Sequence, residues 1–125
     1  MLSKLDHVNV RTLQLRTMID WYVDVLGMRH GERPAFSFDG AWLYIGDDPV
    51  VHLVEVDGDP GVGSESALKL EHFAFKATGR AAFDKKLKQI NEPFRVGEIA
   101  SLKIAQYNLH DPDGNHIHID FSDND

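Results

Sequence analysis

The stretch Leu5-Asp6-His7-Val8-Asn9-Val10 decides the fold, because it returns as Leu70-Glu71-His72-Phe73-Ala74-Phe75. Both copies read apolar, acid, His, apolar, small, apolar, at an offset of 72 − 7 = 65 residues. Alternation of this kind marks a half-buried strand whose two parities line opposite faces. Near the end of each copy Val51-His52-Leu53 matches Ile117-His118-Ile119, at an offset of 118 − 52 = 66. That spacing is longer than solenoid periods and implies two duplicated half-domains.

Outward from these strands the order of elements also repeats. After the first strand, Leu15, Met18, Ile19, Tyr22 and Leu26 follow helical spacing and Gly27 ends the helix. The spacing predicts one or two strands over Phe36 to Ile45, a turn at Gly46-Asp47-Asp48-Pro49, and a strand over Val50 to Val56. The run from Asp57 to Ser64 holds three Gly and one Pro and reads as a linker. Then Leu70 to Phe75 reads as a strand, and Ala82, Phe83, Leu87 and Ile90 mark a helix that ends before Pro93. Strands over Leu102 to Leu109 and His116 to Phe121 flank the turn Asp111-Pro112-Asp113-Gly114. The expected class is α+β: two βαβββ modules forming a cupped mixed sheet with helices on the outer face. Module one spans about 1–58, the linker about 59–66 and module two about 67–121 of a single domain. The tail Ser122-Asp123-Asn124-Asp125 is expected to fray.

Composition narrows the chemistry. The 125 residues carry 13 Lys and Arg against 20 Asp and Glu, a formal charge of −7. This disfavours nucleic acid and anionic membranes as partners, since both select positive surfaces. There is no Cys, which removes disulfides, thiolate zinc sites and Cys nucleophiles. The N-terminal residues lack an apolar core of signal-peptide type, and a cytoplasmic address is the expectation. Metal or proton chemistry therefore falls to His, Asp, Glu and Tyr, and seven His is a mild excess.

Strand alternation sets His7, His52, His72 and His118 opposite apolar neighbours that should face the helices: Val8 and Val10, Leu53, Phe73 and Phe75, and Ile117, Ile119 and Phe121. If the modules pack with pseudo-twofold symmetry, four imidazoles from four strands meet in the cup. Neutral imidazole is the commonest ligand for Zn, Fe, Ni and Cu, so a divalent transition metal explains the pattern economically. Singly, each would read as an ordinary strand histidine on a solvated face. Of the remaining three, His116 reads as an exposed strand-end residue, with an acid or base at the cup's rim as the alternative, His110 as solvated, and His30 as part of the charged loop Arg29 to Arg33. Trp42 and Tyr44 alternate against Leu43 and Ile45, and on the cup side they would line a pocket for a flat or apolar ligand. Arg11 continues the His7 face and could hold an anionic group, while Gln106 and Asn108 line the facing strand.

Leu5-Asp6-His7-Val8, Asp20-Trp21-Tyr22-Val23-Asp24-Val25-Leu26-Gly27-Met28, Leu70-Glu71-His72-Phe73 and Asp111-Pro112-Asp113-Gly114-Asn115 together resemble the vicinal-oxygen-chelate superfamily. That superfamily holds glyoxalase I, fosfomycin- and bleomycin-resistance proteins, methylmalonyl-CoA epimerase and extradiol dioxygenases. The resemblance implies a cupped sheet, a homodimer, a small-molecule substrate and metal ligands at His7, His52, His72 and His118. It also carries a departure. Similar metal-binding members usually have Glu where this chain has His118, and glyoxalase I types have Glu where it has His52. Those carboxylates serve the isomerases as base, so the all-His set tells against a glyoxalase I reaction inferred from the fold. Three functions follow: a metal-dependent lyase, isomerase or dioxygenase on a chelating, oxygen-bearing substrate; a metal-free sequestering protein of the bleomycin-resistance type; or a metal-binding interaction module without catalysis. Substrate-binding assignments rest on Arg11, Trp42, Tyr44 and Asn108.

Overall fold

A computed structural model describes residues 1–58 and 70–125. Its elements are β1 (Val8–Thr12), α1 (Leu15–Asp24), β2 (Arg29–Gly31), β3 (Gly40–Ile45), β4 (Asp48–Glu55), β5 (His72–Ala77), α2 (Arg80–Gln89), β6 (Arg95–Ile99), a 3-10 turn (Ala100–Leu102), β7 (Ile104–His110) and β8 (His116–Ser122). The chain divides into two compact units, Met1–Val62 and Gly63–Asp125. Each unit is βαβββ with its own four-stranded mixed sheet, ordered β1-β4-β3-β2 and β5-β8-β7-β6. In both, the first strand runs parallel to the last and the other pairs are antiparallel. The α+β class and the duplicated βαβββ plan are as the repeat predicts. The expected linker, about 59–66, lies outside the described residues.

Register settles which side chains share a face. In the first unit Val8 and Val10 stand beside Val51 and Leu53, and these oppose Leu43 and Ala41. Against that apolar face α1 sets Met18, Ile19, Trp21 and Tyr22, all buried. Removing these side chains from water at about 25 cal/mol per Å² is the main force that joins helix to sheet. Asn9, His52 and Trp42 take the opposite face. In the second unit Phe73 and Phe75 flank Ile117 and Ile119, which oppose Leu109 and Tyr107. Phe83 of α2 meets the rings of Tyr107 and Phe121 at centroid distances of 5.7 and 5.6 Å. Here Ala74, His118 and Asn108 form the other face, with His72, His116 and His110 one step along it. The register pairs Asn9↔His52 and Ala74↔His118 are the same pair in two copies.

Four local expectations are corrected. Arg29 to Gly31, read as loop, is the edge strand β2. It is short and charged, as edge strands tend to be. A Cβ at Gly31 would lie 2.6 Å from the Tyr44 ring, so a larger residue there would force the Tyr44 or Arg29 side chain to move. Phe36 to Asp39 is no strand: the Phe36 and Phe38 rings stack at 5.1 Å and the Arg33 guanidinium lies over both. The strand β6, with Gly97 at its centre, is absent from the sequence expectations. The tail does not fray. Gly79 stands at the N-cap of α2 with no side chain to offer, and Asp125 caps the helix instead, its carboxylate accepting from Gly79 N at 2.9 Å and Arg80 N at 3.1 Å. No helix among the described residues is long and apolar enough to cross a membrane.

Candidate metal centre

In the second unit three histidines converge. His72 opens β5, His116 opens β8 and stands beside it in register, and His118 follows two residues on along the same face. Ring centroids are 4.0 Å apart for His72 and His118, 4.6 Å for His116 and His118, and 5.6 Å for His72 and His116. One nitrogen from each lies within 4.8 Å of the other two. A single ion with metal–nitrogen bonds of about 2.1 Å holds its ligand atoms about 3.4 Å apart, so modest ring rotation closes the set.

One observation indicates that these residues fit a cation. His118 is 9% exposed, and its Nδ1 is buried with no hydrogen-bond partner among the described residues. A buried imidazole nitrogen left bare costs about 1–3 kcal/mol unless something occupies it. His116, 7% exposed, faces two acceptors. Asn108 donates through Nδ2 to the carbonyls of Arg95 (3.2 Å) and Gln106 (3.3 Å), which turns its Oδ1 toward His116 Nε2 at 2.9 Å. The other ring nitrogen of His116, Nδ1, lies 3.3 Å from Glu71 Oε1. A neutral imidazole here gives its one N–H to one of these acceptors and keeps the lone pair of the other nitrogen. Burial pushes His118 below the usual histidine range, and the charges of His72 and His116 push it further. That keeps His118 neutral and ligand-ready near pH 7.

The same pattern in the first unit holds two histidines. His7 precedes β1 and stacks on His52 of β4 at 3.9 Å. Trp42 of β3 covers the other face of His52 at 4.2 Å. His52 Nε2–H donates to the Pro49 carbonyl at 2.9 Å, which leaves Nδ1 as the nitrogen with a lone pair. Burial also holds His52 low in pKa, with His7 contributing. His7 gives its Nδ1–H to Asp6 at 2.7 Å. Tyr44 is engaged elsewhere: its hydroxyl donates to the Glu32 carbonyl at 2.6 Å and Arg29 covers its ring at 4.5 Å. Arg11 lies on the exposed parity of β1.

Three features escaped the sequence reading. His116 was expected at an exposed strand end. It is buried because Asn108 and the ring of His110 (4.9 Å, stacked) cover it from β7. In the sequence Glu71 is simply the acid of the repeat, yet one oxygen of its carboxylate meets His72 Nδ1 and the other meets His116. Asp120 continues the parity of His116 and His118, and its Oδ1 is buried without a partner among the described residues. The Asp111 turn, by contrast, is structural as expected. The Asp111 carboxylate accepts from Asp113 N, Asn115 N and Asn115 Nδ2 at 2.9–3.0 Å, and Gly114 supplies φ +86°.

Residues 4–119 match the Glyoxalase/Bleomycin resistance protein/Dioxygenase superfamily. The chain belongs to this superfamily. Solved structures agree on the fold. A glyoxylase/bleomycin resistance protein/dioxygenase domain from Frankia sp. EAN1pec superposes with a TM-score of 0.80 at 18% identity, covering 98% of this chain and 99% of that one. Lactoylglutathione lyase from Agrobacterium tumefaciens gives 0.71 at 15% identity, covering 96% and 94%. The fosfomycin resistance protein FosX from Listeria monocytogenes gives 0.70 at 11% identity, covering 98% and 95%. At these identities the likeness is one of fold. No curated protein matches in sequence.

Proposed function

We propose that this superfamily member is a metal-dependent enzyme acting on a small oxygen-bearing substrate that chelates the ion. The observation that carries the proposal is the cluster of His72, His116 and His118, together with the buried Nδ1 of His118, which has no hydrogen-bond partner among the described residues. These three residues would hold a divalent transition metal such as Zn, Fe, Ni or Cu. When bound, such an ion acts as a Lewis acid on a coordinated oxygen. Adding His7 and His52 to the ligand set rests on their repeat equivalence to His72 and His118 and on the lone-pair nitrogen left on each ring.

The remaining roles belong to the chain itself. Asn108 orients His116. Asp120 places a carboxylate on the histidine face, where an all-nitrogen ligand set supplies none. Trp42 offers a flat wall for an apolar part of the substrate and Arg11 a cation for an anionic part. The Tyr44 hydroxyl and the Asn108 amide, already committed to Glu32 and to His116, would act by holding the surrounding groups in place. A homodimer in a cytoplasmic setting belongs to the same proposal. A second reading, a metal-free sequestering protein, is favoured by the His7–His52–Trp42 ring stack, whose flat face could grip an aromatic ligand.

Elemental analysis of gently purified protein separates the two. The enzyme reading expects close to one equivalent of a first-row metal, lost in His118→Ala. Content below about a tenth of an equivalent, or content unchanged in that variant, overturns it.

A further inference from the structure

The acid that precedes the first-strand histidine recurs in both repeats as Asp6-His7 and Glu71-His72. In each copy the structure puts it to the same use. The Asp6 carboxylate accepts from His7 Nδ1–H at 2.7 Å, and the Glu71 carboxylate accepts from His72 Nδ1–H. Both acids are well exposed, with side chains 85% and 55% accessible, so neither is needed to fill a core. An exposed acid–histidine pair of adjacent residues contributes little to stability. Its recurrence at equivalent positions of two diverged copies, with the acid changed and the contact to Nδ1 of the next histidine kept, therefore needs another cause.

We propose that Asp6 and Glu71 are positioning residues that select the metal-facing nitrogen of His7 and His72. The inference rests on the metal-binding reading above. A proton held on Nδ1 by a carboxylate leaves the lone pair on Nε2, and the negative charge makes that nitrogen a better donor to a cation. Glu71 does more than Asp6, since its second oxygen stands 3.3 Å from His116 Nδ1. Its longer side chain lets one carboxylate brace two of the three clustered histidines. Carboxylates that orient metal-bound imidazoles in this way typically contribute about 10–100-fold in metal affinity.

The test uses the full chain as wild type, Glu71→Gln, Glu71→Asp and Asp6→Asn. Co(II) and Zn(II) affinities are measured by chelator competition and the Co(II) visible spectrum is recorded. Glu71→Gln keeps the size and the hydrogen-bond acceptor but removes the charge, and is expected to weaken Zn(II) binding about 10–100-fold with a changed Co(II) spectrum. Glu71→Asp installs the residue the first repeat already uses, and should recover part of that loss. Wild-type affinity in Glu71→Gln, or equal loss in Gln and Asp variants, overturns the proposal while leaving metal binding intact. A separate readout comes from long-range ¹H–¹⁵N spectra of the metal-free protein, which should show His7 and His72 protonated at Nδ1. Nε2–H tautomers at both positions overturn the proposal whatever the metal does. If the wild type takes up no metal yet shows the Nδ1–H tautomers, the enzyme reading fails and the orienting role of the two acids is supported.

Discussion

His118→Ala should cost almost nothing without metal and everything that metal contributes with it. In the metal-free protein two effects of the substitution oppose each other. Truncating a ring that is 9% exposed and stacked 4.0 Å from His72 forfeits packing worth about 1–3 kcal/mol. Deleting the buried, unpartnered Nδ1 relieves a desolvation cost of about 1–3 kcal/mol. The net change should stay within about 1 kcal/mol, far below the 2–5 kcal/mol of an ordinary large-to-small core substitution. With metal at about 100 times its dissociation constant, the wild type gains about 2.7 kcal/mol. For a chain of this length each kcal/mol moves the melting temperature by roughly 3–5 °C, so the shift should be roughly 10 °C. Thermal melts of chelator-treated protein, with and without Zn(II), give both numbers for wild type and variant. His30→Ala, at an exposed edge-strand position, serves as control and should keep the full shift. A metal-free loss above about 3 kcal/mol in His118→Ala would mark the ring as a core residue. An undiminished metal shift would place the ion elsewhere, and either result refutes the reasoning.

Acid should destabilise the metal-free protein through the two buried histidines. His52 and His118 are held below their unfolded value of about 6.5, so the unfolded chain binds more protons and stability falls as pH drops from about 6.5 through the lowered folded values. Urea midpoints at neutral and mildly acid pH should show this, and a profile equally steep in the His52→Ala/His118→Ala double variant would assign it to other groups. Asp125→Ala removes both acceptors from the N-terminus of α2 and should cost about 1 kcal/mol, visible as a lower urea midpoint; an unchanged midpoint would deny the tail its capping role. Leu43→Ala on the helix-facing side of β3, fully buried, should cost about 2–5 kcal/mol by the same measurement, whereas a loss under about 1 kcal/mol would contradict the face assignment.

What was legible in the sequence depended on whether the responsible interactions were local. Parity along a strand is local, and Val8 and Val10 against Asn9, or Ile117 and Ile119 against His118, fell on the expected faces. The repeat extended that reach, since two matched segments in each copy fix a strand pair: the offsets of 65 and 66 are those that carry Asn9↔His52 onto Ala74↔His118. Non-local causes left no such trace. A three-residue edge strand has too few residues for a period, and β2 exists because Arg29, His30 and Gly31 pair with Tyr44, Leu43 and Trp42. Asp125 caps a helix that begins 45 residues before it.

His116 shows where the boundary runs. Its parity with His118 could be read directly, and so could the turn that precedes it. Its burial could not, because the cover comes from β7. The Asp111 turn folds that strand back so that His110 opposes His116 and Asn108 opposes His118. The Asn108 side chain then reaches across to Nε2 of His116, a contact between positions one register step apart that no single-strand pattern records. The repeat could not supply it either, for His116 has no counterpart in the first copy: two residues before His52 stands Val50. A site built by duplication is thus visible as far as the duplication holds. The third histidine of the cluster is a feature of the second copy alone, and its place in a metal centre is open to test with His116→Ala in the same competition experiments.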